Sequence, residues 1–103
     1  MKPKTYLNLI NGKWIKSGSG KTFADINPAN SGEVVGFFQE STPSDLEKAV
    51  SSAATAFDKW RLSSLAEREQ IFRKAAVIME EKKEELAAEL TREEGKTLDE
   101  SRK

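Results

Sequence analysis

A change of pattern at Thr42-Pro43 divides the chain into a first third of short β-prone runs and turns and a longer helical remainder. In the first part, Tyr6-Leu7-Asn8-Leu9-Ile10 and Lys13-Trp14-Ile15 flank Asn11-Gly12. Asn-Gly between β-prone runs predicts a two-residue type I′ hairpin, because that turn needs positive φ at both central positions. Ser17-Gly18-Ser19-Gly20 reads as a loop. Thr22-Phe23-Ala24-Asp25-Ile26 is a third strand, stopped by Asn27-Pro28, since proline lacks a donor and restricts the residue before it. Asn30-Ser31-Gly32 is a turn, and Glu33 to Gln39 a fourth strand, so a second hairpin is predicted and the strands occupy about residues 6–39.

Helices are predicted at about 44–61 and from 65, where by sequence alone the second could continue through Leu86 and Leu90 to Glu94, with the start of another at 97. Thr42 or Ser44 caps the first, and Ser44 with Glu47 fits a capping box. Leu46, Ala49, Val50, Ala53, Phe57 and Trp60 recur at three- and four-residue steps as one apolar stripe. Ser64 with Glu67 gives the second helix a box, and Ile71, Phe72, Ala75, Ile78 and Met79 share a face. Gly95 suits the residue that closes the helix ending at Glu94. Thr97 with Glu100 opens a further helix, which the chain leaves after about two turns, too short to be stable unaided. That pattern is the one expected of a truncated or processed chain. The fold class is therefore α/β: N-terminal β-hairpins followed by three or four packed α-helices.

Composition removes several functions. With 103 residues the chain has room for one small domain with a thin core. Hydrophobic residues make up 37% and charged residues 33%, which suits amphipathic helices with solvated outer faces. Seventeen basic residues balance seventeen acidic ones, so no net field favours nucleic acid or an anionic membrane. No apolar run is long enough to span a bilayer. Met1-Lys2-Pro3-Lys4-Thr5 is basic but precedes no apolar stretch, unlike a signal peptide. A cytoplasmic location is expected. There is no cysteine and no histidine, so disulfides, thiolate metal sites, a cysteine nucleophile and histidine triads are excluded from these residues.

The motifs that tempt a chemical reading are better read structurally. Gly18-Ser19-Gly20 has Phe23 where the third glycine of a dinucleotide fingerprint belongs. Gly95-Lys96-Thr97 has the tail of a phosphate loop, but Leu90 stands where its first glycine belongs, and it follows a helix. Glu93 and Glu94 diverge by about 100° on a helix and cannot share one substrate bond. The run from Glu80 to Glu85 is a solvated face with opposite charges at helical spacing. Arg68 is expected to pair with Glu67, Glu69 or another carboxylate, and Trp14 and Trp60 to serve core or interface.

Four segments in fixed order carry a resemblance: Ile10-Asn11-Gly12-Lys13-Trp14, Asn27-Pro28-Ala29-Asn30-Ser31-Gly32-Glu33-Val34, the helix closing on Phe57-Asp58-Lys59-Trp60-Arg61, and Glu94-Gly95-Lys96-Thr97. Together they resemble the N-terminal stretch of the NAD(P)-dependent aldehyde dehydrogenases, from about Leu7 to Ser101. The opening Tyr6 to Trp14 looks closest to members acting on semialdehydes of small acids. The resemblance implies that residues 1–103 form the outer part of a Rossmann-like cofactor-binding domain, with a bend near Lys83 that divides the second helix into about 65–82 and 84–94. It implies NAD or NADP as cofactor of the parent enzyme, with the remainder of that enzyme as partner and a homo-oligomer as its assembly. In the family's order the catalytic cysteine, the glutamate, the oxyanion groups and the Gly-rich cofactor segment all come after residue 103. The chain alone is therefore expected to be inactive and to bind no cofactor. One ligand site reaches this stretch: many members hold a monovalent cation through carbonyls before the Asn-Pro and an acidic side chain before the Gly-Lys. Here those positions are Asp25 and Ile26 for the carbonyls and Glu93 for the carboxylate, where the family more often has aspartate. The rival reading is a non-enzymatic module that docks a protein partner through Val50, Phe57 and Trp60 or through its strands.

Overall fold

Asn11 and Gly12 have φ of 53° and 72°, the left-handed pair that a type I′ turn requires. They join β2 (Asn8–Ile10) to β3 (Lys13–Ile15) as an antiparallel hairpin in which Asn8 faces Ile15, Leu9 faces Trp14 and Ile10 faces Lys13. The computed structural model describes residues 2–103. Met1, the first residue of the stretch read as unlike a signal peptide, lies outside them. The described elements run β1 (Lys4–Thr5), β2, β3, β4 (Thr22–Ile26), β5 (Val34–Gln39), α1 (Pro43–Trp60), α2 (Leu65–Glu81), α3 (Lys83–Glu94) and α4 (Leu98–Ser101).

The chain divides into two compact units. The first comprises the residues up to Asp25 together with Val34–Leu62, and the second Ile26–Glu33 together with Ser63–Lys103. In the first unit, β5 is the middle strand of a three-stranded sheet ordered β1-β5-β4. The β4–β5 neighbour relation is the predicted second hairpin, and Glu40 N–H donates to Lys21 O at 3.0 Å beyond its open end. The parallel pairing of β1 with β5, Lys4 with Gly36 and Thr5 with Phe37, is not predicted. It splits the expected Tyr6–Ile10 run: Tyr6 N–H donates to Phe37 O at 2.8 Å, and the chain then leaves this sheet to form the separate hairpin. Tyr6 stacks on Phe38 with ring centroids 5.0 Å apart, and Phe23 meets Phe38 at 6.2 Å. α1 packs against β2. Its stripe forms as the spacing predicts, yet Leu46, Val50 and Phe57 each remain more than half exposed.

In the second unit, α3 packs on both α2 and α4. The bend predicted near Lys83 falls at Lys82, whose φ of −100° and ψ of 12° separate α2 from α3. Ser64 and Glu67 form the predicted reciprocal box, with Ser64 N–H to Glu67 Oε2 at 2.8 Å and Glu67 N–H to Ser64 Oγ at 3.2 Å. Thr97 and Glu100 do the same for α4. At α1 the cap is Thr42 and its box partner is Asp45, not Ser44 with Glu47, so the helix starts one residue earlier, with Pro43 in its first turn. Proline is well suited there because the first helical N–H groups have no intrahelical acceptor. Arg68 donates to Ser63 Oγ at 3.0 Å and to Ser63 O at 2.9 Å, while Arg73 takes Glu69. Glu84, within the predicted solvated run, engages Arg102, the residue that closes α4.

Replacing Ser64 with alanine leaves an N–H of α2 without its acceptor and should cost about 1 kcal/mol. Leu62→Ala, at a side chain 73% exposed, should change stability by less than about 0.5 kcal/mol. Urea unfolding followed by circular dichroism ranks the two; equal losses would contradict the capping assignment.

Candidate functional site

The Asn-Pro segment and the Glu-Gly-Lys segment meet in the second unit. Asn27 is buried. Its Oδ1 accepts from Ala29 N–H at 2.9 Å, the local bond that makes asparagine a turn former ahead of Pro28. Its N–H donates to Glu33 O at 3.0 Å, and Asn30 closes the turn through Asn30 N–H to Asn27 O and Glu33 N–H to Asn30 O. The side chains then repeat the connection: Asn27 Nδ2 donates to Glu33 Oε2 at 2.9 Å. The other carboxylate oxygen, Oε1, accepts from Arg92 Nε on α3 at 2.5 Å. Both oxygens of Glu33 are thus engaged by N–H donors, one neutral and one cationic. The Asn27 bond, and then the Arg92 bond and charge, hold the Glu33 carboxyl below its ordinary value.

Gly95 completes this corner. It ends α3 in the left-handed region with φ of 81°, its N–H donating to Thr91 O at 2.9 Å. A Cβ at this position would lie 2.9 Å from Pro28 Cγ and 3.3 Å from Ala29 N. Glycine is needed here twice over, for the backbone conformation and for the approach of the turn. Beyond it, Thr91 and Ser101 hydroxyls lie 2.8 Å apart, and Arg102 forks onto Glu84 at 2.8–3.1 Å.

The first unit has its own carboxylate centre. Asp45 is buried, and Gly18 N–H donates to both its oxygens at 3.1 and 3.0 Å. Thr42 N–H adds a bond to Oδ2 at 2.8 Å and Thr42 Oγ1 another at 3.0 Å. The main-chain donors of Thr42 and then Gly18 lower the Asp45 pKa from its ordinary value. Beside it, Gln39 accepts from Ser17 N–H at 2.9 Å and donates to Tyr6 O at 2.8 Å. The Ser17–Gly20 loop is therefore folded by side chains of β5 and α1, rather than left as an open linker.

Of the residues assigned to a cation site, Asp25 and Ile26 end β4 and Glu93 lies in the last turn of α3. Asp25 is half-buried, whereas Ile26 and Glu93 are exposed. Ile26 and Glu93 belong to the second unit and Asp25 to the first. The chain neighbours of the first two are joined, since Asn27 follows Ile26, Arg92 precedes Glu93, and Glu33 bonds both Asn27 and Arg92. Among the described residues no group of three or more His, Cys, Asp or Glu side chains is gathered for a metal ion. Sequence reasoning misses the roles of Asp45, Glu33 and Arg92. The Thr42-x-x-Asp45 spacing does signal the first, but nothing local signals a pair 59 residues apart.

The aldehyde dehydrogenase family profile matches residues 14–103. The chain belongs to the aldehyde dehydrogenase family. It is 50% identical over 98 residues to the alpha-ketoglutaric semialdehyde dehydrogenase of Bacillus subtilis (strain 168), which covers 95% of this chain and 20% of that protein. It is 40% identical over 98 residues to the 2,5-dioxopentanoate dehydrogenase of Saccharolobus solfataricus, with the same shares. The crystal structure of an NAD-dependent aldehyde dehydrogenase from Sinorhizobium meliloti matches at a TM-score of 0.92 and 36% identity, over 98% of this chain and 20% of the other. The chain thus spans about a fifth of the length of the curated relatives it matches. Its α/β architecture of short strands and four helices is the one this dehydrogenase family uses over that stretch.

Gly95→Ala forces a Cβ into a left-handed position and against Pro28, and should cost at least about 1–2 kcal/mol in urea unfolding. A neutral effect would contradict the corner. Both depressed carboxylates stabilise the fold above their unfolded pKa, and that contribution is lost as pH falls through the lower folded value. A carbon-13 NMR titration should therefore find Asp45 ionised until below 3.8 and Glu33 until below 4.5; midpoints at those ordinary values would contradict the bonding described.

Proposed function

We propose that the chain supplies outer scaffold of the cofactor-binding domain in an NAD(P)-dependent aldehyde dehydrogenase that oxidises a semialdehyde of a small keto acid to the carboxylic acid. The observation that carries this reading is the 50% identity to the Bacillus subtilis alpha-ketoglutaric semialdehyde dehydrogenase in a chain that contains no cysteine. The nicotinamide cofactor supplies the hydride acceptor in such an enzyme, and the nucleophile comes from outside these residues. In this reading the partner is the remainder of a dehydrogenase subunit, in a homo-oligomer located in the cytoplasm. Among the described residues no helix is long and apolar enough to cross a membrane.

The same reading gives the chain one ligand role. The main-chain carbonyls of Asp25 and Ile26 and the carboxylate of Glu93 are the proposed donors to a monovalent cation. All are hard oxygen donors, which suit a cation that is not held by nitrogen or sulfur. The exposed apolar residues of α1 and α2 favour a second reading, a docking module without enzymatic activity.

A chimera separates the two. Substituting this chain for the corresponding N-terminal fifth of the Bacillus subtilis enzyme should leave NAD(P)-dependent oxidation of 2,5-dioxopentanoate within about tenfold of the parent. The chain alone should turn over no aldehyde with either nucleotide. A soluble chimera with no activity would overturn the scaffold reading in favour of the docking module, and turnover by the chain alone would overturn the assignment of chemistry elsewhere.

A further inference from the structure

We propose that Asn11-Gly12 is a site of self-modification, where the asparagine carboxamide is lost through a succinimide and the isoaspartate so formed breaks the β2–β3 hairpin. The chain has four asparagines, and the structure separates Asn11 from the rest. Asn8 Nδ2 donates to Ser41 Oγ at 2.8 Å, and Leu9 after it brings a branched side chain. Asn27 is buried, both ends of its carboxamide are bonded, and Pro28 after it has no N–H to lose. Asn30 Oδ1 accepts from Gly32 N–H at 3.3 Å, and Ser31 follows it with a side chain of its own. Asn11 and Gly12 are both exposed. Among the described residues, neither the Asn11 carboxamide nor the Gly12 N–H has a hydrogen-bond partner. The ladder spares them because a two-residue turn bonds through its flanking residues.

The Gly12 main-chain nitrogen loses its proton to base and attacks Asn11 Cγ. An N–Cγ bond forms, the Cγ–Nδ2 bond breaks, and Nδ2 leaves as ammonia with that proton. Water then opens the five-membered imide at one of its two carbonyls. Cleavage of the new N–Cγ bond gives aspartate, and cleavage of the original N–C bond gives isoaspartate. Nothing is oxidised or reduced, and water is the one reactant from outside the chain. Bringing the nitrogen to Cγ requires rotation about the Asn11 Cα–C bond, so the reaction runs from the opened turn. Opening is cheap here, because β2 and β3 form a separate sheet of two three-residue strands, and such hairpins are marginal. Gly12 offers the nitrogen no side chain to obstruct it, and the space where a Cβ would sit is empty to 4 Å. Isoaspartate routes the main chain through Cβ and Cγ, adding a methylene to a turn whose length sets the strand register. The pairing of Leu9 with Trp14 is then lost. Either product also adds a negative charge to a chain whose formal net charge is zero.

The test ages the full chain in neutral and in mildly alkaline buffer. Trypsin then releases Thr5–Lys13, which holds Asn8 beside Asn11, and Thr22–Lys48, which holds Asn27 and Asn30. Mass spectrometry with electron-transfer fragmentation reads the exchange of NH for O at each asparagine and tells aspartate from isoaspartate. Conversion at Asn11 should run at least about tenfold faster than at Asn8, Asn27 or Asn30, a barrier lower by about 1.4 kcal/mol. It should be faster in the alkaline buffer, where the Gly12 nitrogen loses its proton more readily. Asn11→Gly keeps a sequence that suits the turn and removes the carboxamide, so its Thr5–Lys13 peptide should stay unchanged. The aged isoaspartyl chain should lose the Leu9–Trp14 cross-strand contact in proton NMR, and the aspartyl chain and Asn11→Asp should keep it. Conversion at another asparagine as fast as at Asn11, or none at Asn11, would overturn the site. A rate that does not rise with pH would overturn the attack by Gly12. An isoaspartyl chain that retains the Leu9–Trp14 contact would overturn the effect on the hairpin.

Discussion

Two carboxylates, each bonded through both oxygens by N–H donors, fix the turns and helix ends that they touch. Among the described residues Ala87 is the buried hydrophobic one, while Phe72, Leu65 and Met79 are more than 60% exposed. The buried polar residues are Ser17, Asn27, Gln39 and Asp45, and each is hydrogen-bonded. This inverts the usual distribution, in which apolar side chains fill the interior and polar ones are buried only when paired. Hydrogen bonds are directional, so such centres fix the geometry of turns and helix starts even where they contribute modest net stability. Asp45 does this for the Ser17–Gly20 loop and α1, and Glu33 for the Asn-Pro turn and α3.

The distribution accords with the family membership. A segment matching a fifth of its relatives' length has amphipathic helices whose apolar stripes are correct in spacing and bare in isolation. Three of the segments that carry the sequence resemblance shape the backbone: the Asn11-Gly12 turn, the Asn27–Glu33 turn and the Gly95 helix end. None is a reacting group in aldehyde oxidation. Their spacing along the chain reflects two segments that must meet, with Gly95 leaving room for Pro28.

Local interactions were legible in the sequence, and distant ones were not. Asn11-Gly12, Ser64 with Glu67, and Thr97 with Glu100 each lie within four residues, where residue type and spacing determine the bond. At α1 the sequence left Thr42 and Ser44 open as caps; Thr42 caps the helix with Asp45 as its box partner, and Asp45 also receives Gly18 N–H from a loop 27 residues away. The parallel β1–β5 pair escaped for the same reason: a two-residue strand carries no periodicity, and its partner lies more than thirty residues on. Arg92 carries no local signal for Glu33, which lies 59 residues away and reaches it only in the fold. The stripes of α1 and α2 were legible as stripes, but periodicity reports which residues share a face and not whether that face is covered. Of the proposed cation donors, the sequence resemblance supplies the positions.

The central claim is that the Asp45 carboxylate fixes the Ser17–Gly20 loop and the start of α1, while the bare face of α2 contributes little. The most direct measurement compares the urea midpoint of Asp45→Asn with that of Phe72→Ala in the same chain. Truncating a buried phenylalanine ordinarily costs about 3–5 kcal/mol, but Phe72 is 68% exposed, and its loss should move the midpoint little. Asp45→Asn keeps the shape while removing the charge that holds Gly18 and Thr42, and it should lower the midpoint clearly more. A larger loss for Phe72→Ala than for Asp45→Asn would contradict the account.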